Sequence, residues 1–378
     1  MSGASYKAIL FVVLGTLLAS GCAKKSADKM SPPRKAELIV EKVDGLEIEF
    51  RPKVNILFVK DNSESMQDEL ERVAEGIDKF LSEFAGKGVI EWRIGVISVY
   101  DSRRASFISE AGLGRLERLK SIDQSGNVIV LDPIFATKEN STKEIIAATI
   151  NSGVKSLKDG GPEFEEMFTP LLAATDPTLN AESNGGFWQR DAHKVIVMLS
   201  DENDSSPSLS VEDFTQRFHA NMRALSDSHA NYSIYAIVAL QNYLDNSGGI
   251  KSCKLNSYAL PPTRIVDAVA LLGGQSFPIC ESSFGATLAE IGSDIKKKVL
   301  PKEFRIVGGV PEADTLKLLY NGEEIAASRG WAYNPDTGMV RIEPTVDIES
   351  VPGGKFEIRS TKISDRAVRQ GKVIKEIF

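Results

Sequence analysis

Several kinds of chemistry are missing from this chain. No Cys-x-x-Cys pair occurs, only three cysteines are present, and His193, His219 and His229 are scattered, so no zinc-type ligand spacing exists. No Gly-x-Gly-x-x-Gly follows the first predicted strand, and there is neither a P-loop nor a Gly-x-Ser-x-Gly elbow. Those gaps count against dinucleotide binding, phosphate-loop chemistry and serine hydrolysis, and they favour a non-enzymatic role. Positive charge is also short: 45 Lys and Arg stand against 52 Asp and Glu, a net charge of −7. This balance argues against nucleic acid or an anionic lipid surface as the main partner. The apolar run Ala8 to Leu18 is too short to span a bilayer as a folded helix.

What the first residues do contain is the grammar of a secretory signal. Lys7 forms a thin positive start, the apolar run follows, and small residues come next. A cysteine directly after Leu18-Ala19-Ser20-Gly21 resembles the lipobox of bacterial lipoproteins. The resemblance implies cleavage before Cys22 and a lipid anchor (diacylglycerol, with acyl chains such as palmitate) on that residue. The alternative is an ordinary signal peptide with an incidental cysteine. Residues 1–21 are then the signal peptide and residues 22–36, with Lys24-Lys25 and Pro32-Pro33, a flexible tether. Removing the signal deletes one lysine and no acid, which moves the net charge to −8. Ala23 stands where an aspartate would favour inner-membrane retention, so resemblance to Gram-negative lipoproteins implies the outer membrane. With Cys22 consumed by lipid and the chain exported to an oxidising compartment, Cys253 and Cys280 form the natural disulfide, two unpaired buried thiols being the alternative. The bridge closes a loop of roughly 28 residues, a restriction of about 3–4 kcal/mol on the unfolded chain.

Periodicity supplies the fold class. Leu38-Val40 and Leu46-Ile48-Phe50 alternate around Asp44-Gly45, as an opening hairpin or edge strand does. Val54 to Val59 is a nearly continuous apolar run, the pattern of a strand buried on both faces of a parallel sheet. Met66, Leu70, Val73, Ile77, Phe80 and Phe84 then recur at helical spacing. Strands at Ile94–Val99, Val195–Leu199 and Tyr232–Leu240 alternate with helices at 141–151, 163–174, Ile265–Leu272 and Phe284–Val299. Pro162 is read into the first turn of the helix at 163–174. The result is an α/β, doubly wound, mostly parallel sheet over residues 37–300. Turn sequences Asn321-Gly322 and Asn334-Pro335-Asp336-Thr337-Gly338 then divide short alternating segments. They predict a small C-terminal antiparallel β domain, sandwich-like, over residues 301–362, with Trp331 and Tyr333 in its core. Residues 363–378 are a charged tail.

The candidate site lies where the first strand ends. Asp61-Asn62-Ser63-Glu64-Ser65 places a carboxylate and two hydroxyls on one turn, oxygen donors of the kind a hard divalent cation takes. Strand, Asp-x-Ser-x-Ser, amphipathic helix and a later strand ending in Ser200-Asp201 together resemble the von Willebrand factor A (VWA) domain and its metal-ion-dependent adhesion site (MIDAS). Phe187 to His193, Ser200-Asp201-Glu202 and Ser276 to Cys280 are also similar to bacterial lipoproteins that carry this domain ahead of a β module. The resemblance implies Mg²⁺ (or Mn²⁺ or Ca²⁺) held by Asp61, Ser63, Ser65 and Asp201, with an open position for the acidic side chain of a protein partner.

The sequence departs from that pattern. Glu64 replaces a glycine, Lys60 directly precedes Asp61, and Gly160-Gly161-Pro162-Glu163 lacks the threonine of the third ligand loop, leaving Glu163 as its substitute. Thr137 and Thr142 are further candidates. Two alternatives stay open: Asp61, Ser63 and Ser65 as helix-capping residues, and a degenerate site in which Lys60 pairs with Asp61. Glu202, Asn203 and Asp204 on the same rim either tune the metal or cap the next helix. The expected protein is a lipid-anchored, non-enzymatic adhesion or scaffold protein of the cell envelope. A solute-binding lipoprotein is the rival reading, although two similar lobes are expected there.

Overall fold

The computed structural model describes residues 48–49, 53–85, 90–226, 231–245, 247–255, 259–281, 284–299, 303–306, 313–320, 322–327, 331–336, 339–342 and 355–360. The signal peptide, Cys22, the tether, most of the opening hairpin and the tail lie outside them. Among the described residues no helix is long and apolar enough to cross a membrane.

Strand β1 (Lys53–Lys60) is followed by helix α1 (Gln67–Ala85) and strand β2 (Glu91–Ser98). After a long excursion come β3 (Ala136–Thr137), α2 (Lys143–Asn151), α3 (Phe168–Ala174), α4 (Pro177–Glu182) and β4 (His193–Ser200). The series closes with α5 (Val211–Ala224), β5 (Tyr232–Val238), α6 (Thr263–Leu271), β6 (Gln275–Pro278) and α7 (Phe284–Val299). The six strands form one sheet in the order β6-β5-β4-β1-β2-β3, parallel except for the antiparallel edge strand β3. The α/β class with a mostly parallel sheet is therefore observed, and separate small antiparallel sheets accompany it.

β1 is central, and its side chains alternate between two apolar layers. Val54, Ile56 and Phe58 pack with Phe80, Phe84, Leu288 and Ile291 of α1 and α7. Leu57 and Val59 belong to the opposite layer, with Phe168, Phe214 and Phe218 of α3 and α5. Burial on both faces explains the unbroken apolar run. The order turns back between β1 and β4, since the chain moves to β2 on one side and returns to β4 on the other. Crevices at such switch points, at the carboxyl ends of the strands, are where open α/β sheets bind.

Several sequence expectations are corrected. The helix expected over 163–174 starts only at Phe168, because 163–167 is held as a bent loop: Glu166 exchanges backbone hydrogen bonds with Tyr100, and Asp101 accepts the N–H groups of Glu163 and Phe164. Pro162 thus lies in a loop rather than in a first helical turn. Helix α5 was not anticipated, although Ser210 caps it and Phe214, Phe218 and Met222 recur at helical spacing. Strand Ile48–Glu49, expected within the α/β domain, pairs with Lys355–Arg359 of the C-terminal sheet instead.

The C-terminal β strands form a four-stranded sheet (48–49, 355–359, 317–320, 323–325) and a three-stranded one (303–305, 339–342, 331–334). Leu316, Leu318, Trp331, Val340, Ile342 and Ile358 make a shared core, and Tyr333 packs against it. The Trp331 indole N–H donates to the Ile325 carbonyl, which fixes Trp331 as packing rather than display.

Candidate metal centre

The backbone turn after β1 is set by main-chain bonds. Asp61 N–H donates to Leu199 O (2.8 Å), so the ends of β1 and β4 stay zipped together one residue beyond the strand. The Asp61 carboxylate is fully buried. One oxygen accepts the Ser63 N–H (2.9 Å) and the other accepts the Ser200 hydroxyl (2.8 Å). The Ser63 and Ser65 hydroxyls lie 3.0 Å apart, and Ser65 Oγ donates to Asp201 Oδ1 at 3.2 Å. Four expected residues, Asp61, Ser63, Ser65 and Asp201, are thereby brought to one rim, linked through Ser200. No side-chain cap is made by Ser63 on the short helix that follows.

Lys60 is not the partner of Asp61. Consecutive strand residues face opposite sides, and Lys60 Nζ is buried against Glu117 (3.1 Å) and the carbonyls of Thr149 (2.9 Å) and Ser152 (2.5 Å). Glu117 also binds Lys120, which reaches Glu110. This network pins the excursion between β2 and α3 and leaves the charge of Asp61 without that lysine.

Glu163, the expected third-loop donor, is corrected by the structure. Its side chain is exposed, and only its N–H is engaged, by Asp101. Glu165 stands at the rim instead, 5% exposed, near enough to Asp61 and Glu202 for their charges to act on it. The bend at 163–164, held by Asp101, accounts for the two-residue offset, and a close-packed turn precedes it: a Cβ on Gly161 would meet Lys155 O at 2.2 Å. Thr137 lies on the edge strand β3 and Thr142 precedes α2, neither at this rim. Of the acidic run after β4, Asp204 accepts the N–H groups of Met167 and Phe168 and pairs with Arg264, and Asn203 accepts the Arg264 N–H. Those two are structural, and Glu202 alone joins the rim.

The electrostatics follow from crowding four carboxyl groups into a desolvated crevice. Burial raises Asp61, against the hydrogen bonds it accepts from Ser63 and Ser200. Glu165 is pushed up to about 9 by burial and then by the charges of Asp61 and Glu202. Asp201 is pushed up to about 7 by burial and by the same two charges, and Glu202 is raised by burial and Asp61. Glu165 is raised further than Asp201, with the same two neighbouring charges pushing both. Such mutual destabilisation is what a positive charge at the rim relieves.

Among the described residues, no three acidic, histidine or cysteine side chains converge closely enough to hold an ion by themselves. The donor set that fits a hard cation is mixed: Asp61 and Asp201 as carboxylates, Ser63 and Ser65 as hydroxyls, with water completing the shell, while Glu165 and Glu202 add charge at the rim. The chemistry of these oxygens fits Mg²⁺ or Mn²⁺ and suits no soft metal. Cys253 and Cys280 are joined in a disulfide, with Cα atoms 5.5 Å apart. The bridge links the segments that follow β5 and β6, where Cys253 N–H donates to Leu240 O and Ile279 N–H to Val238 O.

No protein-family model and no curated protein matches this chain. Among solved structures, proximal thread matrix protein 1 from the mussel byssus is similar at 14% identity and a TM-score of 0.36, covering 69% of this chain and 51% of its own. Its form described as having a zinc-occupied MIDAS motif gives 14% identity and a TM-score of 0.37, over 70% and 52% of the two chains. The pilus adhesin SpaC from Lactobacillus rhamnosus GG gives 12% identity and a TM-score of 0.36, over 82% and 40%. This chain thus spans about half or less of the length of these proteins. Likeness at this level carries no residue roles across; the α/β assignment rests on the strand order and register above, which are consistent with a VWA-like fold.

Proposed function

We propose that this protein is a non-enzymatic, lipid-anchored component of the cell envelope, at the outer membrane of a Gram-negative bacterium, that binds a protein partner through a divalent cation. One observation carries the reading. Asp61, Ser63, Ser65 and Asp201 meet at the topological switch point of the sheet, beside Glu165 and Glu202, with the negative charge uncompensated by any lysine or arginine described at the rim. A cation supplies that compensation, and an acidic side chain of the partner completes its shell. The anchor and the location rest on Leu18 to Cys22 and on Ala23.

The degenerate-site reading needs Lys60 beside Asp61, and Lys60 is engaged by Glu117 instead. The solute-binding reading gains nothing from the second module, which is small and all β. Titration calorimetry with Mg²⁺ and Mn²⁺ tests the proposal. Wild type binds saturably, and Asp61→Ala, which loses a buried ligand, does not. A partner recovered from membrane extract is retained in Mg²⁺ and released by EDTA. Absence of cation binding by the wild type, or a complex indifferent to EDTA, overturns it.

A further inference from the structure

A second site lies on the other side of the segment that carries Glu165. Glu165 is buried under the charges of Asp61 and Glu202, whereas its neighbour Glu166 bonds to Ser102. Glu166 lines a cleft of about 750 Å³ formed by α3, α4, α5 and the loop 207–209. Leu172, Leu179 and Leu209 give its walls an apolar stripe among polar side chains. Glu166 itself is fully buried. Its Oε1 accepts the N–H (2.8 Å) and hydroxyl (2.5 Å) of Ser102, while its Oε2 is sealed from solvent with no hydrogen-bond partner among the described residues. Burying a carboxylate oxygen without a donor is costly, and a native structure that keeps one presents it to something.

The rim points to the sign of the ligand. Asp176 and Glu182 add negative charge at the mouth, and exposed Arg217 is the single cationic side chain lining the cleft. We propose that this cleft binds a cationic group on an aliphatic stem, an ammonium or guanidinium that pairs with Glu166 while the stem lies along the leucines. Long basic side chains partition in this way, apolar stem against apolar wall and charged head at the acid. The site is separate from the cation centre and does not rest on that reading.

The test is calorimetry on the full chain in EDTA, so that the cation centre does not contribute, with three probes: acetyl-Leu-Lys-Leu-amide, its Nε-acetyl-lysine counterpart, and free cadaverine. The uncharged peptide should not bind. Saturable binding of the lysine peptide alone assigns the site to a basic side chain of a protein, and binding of cadaverine alone assigns it to a free amine; either result supports the proposal. Glu166→Gln keeps the acceptor for Ser102 and the side-chain size, so it folds, and it should bind the active probe about tenfold more weakly or worse. Ala220→Trp obstructs the mouth from the exposed face of α5 without touching Glu166 and should abolish binding. No saturable binding by either amine, unchanged affinity in Glu166→Gln, or unchanged affinity in Ala220→Trp would each overturn the proposal.

Discussion

Replacing Glu165 by glutamine separates a cation centre from a set of capping residues, because only a cation centre makes the gain in Mg²⁺ depend on this carboxylate. In the cation-free protein the Glu165 carboxyl is held at about 9 against an ordinary value of 4.5. The fold therefore favours its protonated form. Stability from this group is complete below pH 4.5 and is lost as pH rises toward 9, so at pH 7 the loss is about 3 kcal/mol. A glutamine amide is neutral, as the protonated acid is, and it never ionises. For a domain of this size each kcal/mol moves the melting temperature by about 2–4 °C. Glu165→Gln should thus melt about 6–12 °C above wild type in EDTA at pH 7. In Mg²⁺ at a hundred times the dissociation constant, wild type gains about 2.7 kcal/mol. The variant has lost a carboxylate from the rim and should gain clearly less. Scanning calorimetry of both proteins, in EDTA and in Mg²⁺, reads all four values. The reasoning fails if Glu165→Gln is no more stable than wild type in EDTA, or if Mg²⁺ raises both proteins equally.

Four further outcomes are expected. Burial holds His193 down to about 4, against an Asn231 hydrogen bond that works the other way, so its contribution is present above pH 6.5 and is lost as pH falls to 4. In urea titrations, His193→Gln should escape about 3 kcal/mol of that acid loss, and parallel acid limbs for the two proteins would refute it. Lys60→Met breaks a fully buried ion pair and should cost about 3 kcal/mol while leaving Mg²⁺ affinity unchanged; a gain in affinity would mean that Lys60 neutralises Asp61 after all. Replacing Cys253 and Cys280 together by serine should remove about 3–4 kcal/mol, and stoichiometric thiol labelling of denatured, unreduced wild type would dispose of the bridge. Cys22→Ala should leave the exported protein unprocessed and without lipid, whereas an unchanged mature mass and membrane partition would exclude the anchor.

The parts of this molecule legible in its sequence are those governed by local period. β1 shows as an unbroken apolar run because both its faces are covered, and the change to helical spacing at Met66 locates the turn that carries Asp61, Ser63 and Ser65. What escaped depends on partners distant in the chain. Ile48–Glu49 pairs with residues about three hundred positions later, and nothing in two residues announces it. Pro162 before an apolar stretch imitates a helix start, but Asp101 and Tyr100 hold 163–167 as a bent loop, which moves the rim carboxylate from Glu163 to Glu165. Helix α5 had an adequate signal in Ser210, Phe214 and Phe218, which the reading passed over.

Neighbouring residues sent to different environments organise the site more than any motif does. Strand alternation sends Lys60 into the Glu117 network and Asp61 to the rim, and the bent loop before α3 sends Glu165 to the same rim and Glu166 to the cleft. Each pair of neighbours is divided between two environments by a single peptide unit. A local deformation of residues 164–167 would move both acids at once, so the two sites share a backbone while differing in every side chain that contacts a ligand. Side-chain substitutions at Glu165 and Glu166 should therefore act independently, whereas Met167→Pro, which spares both acids and removes the N–H that Asp204 accepts, should impair both. Loss of cation binding with amine binding intact in that proline variant would show that the segment does not hold the two sites together.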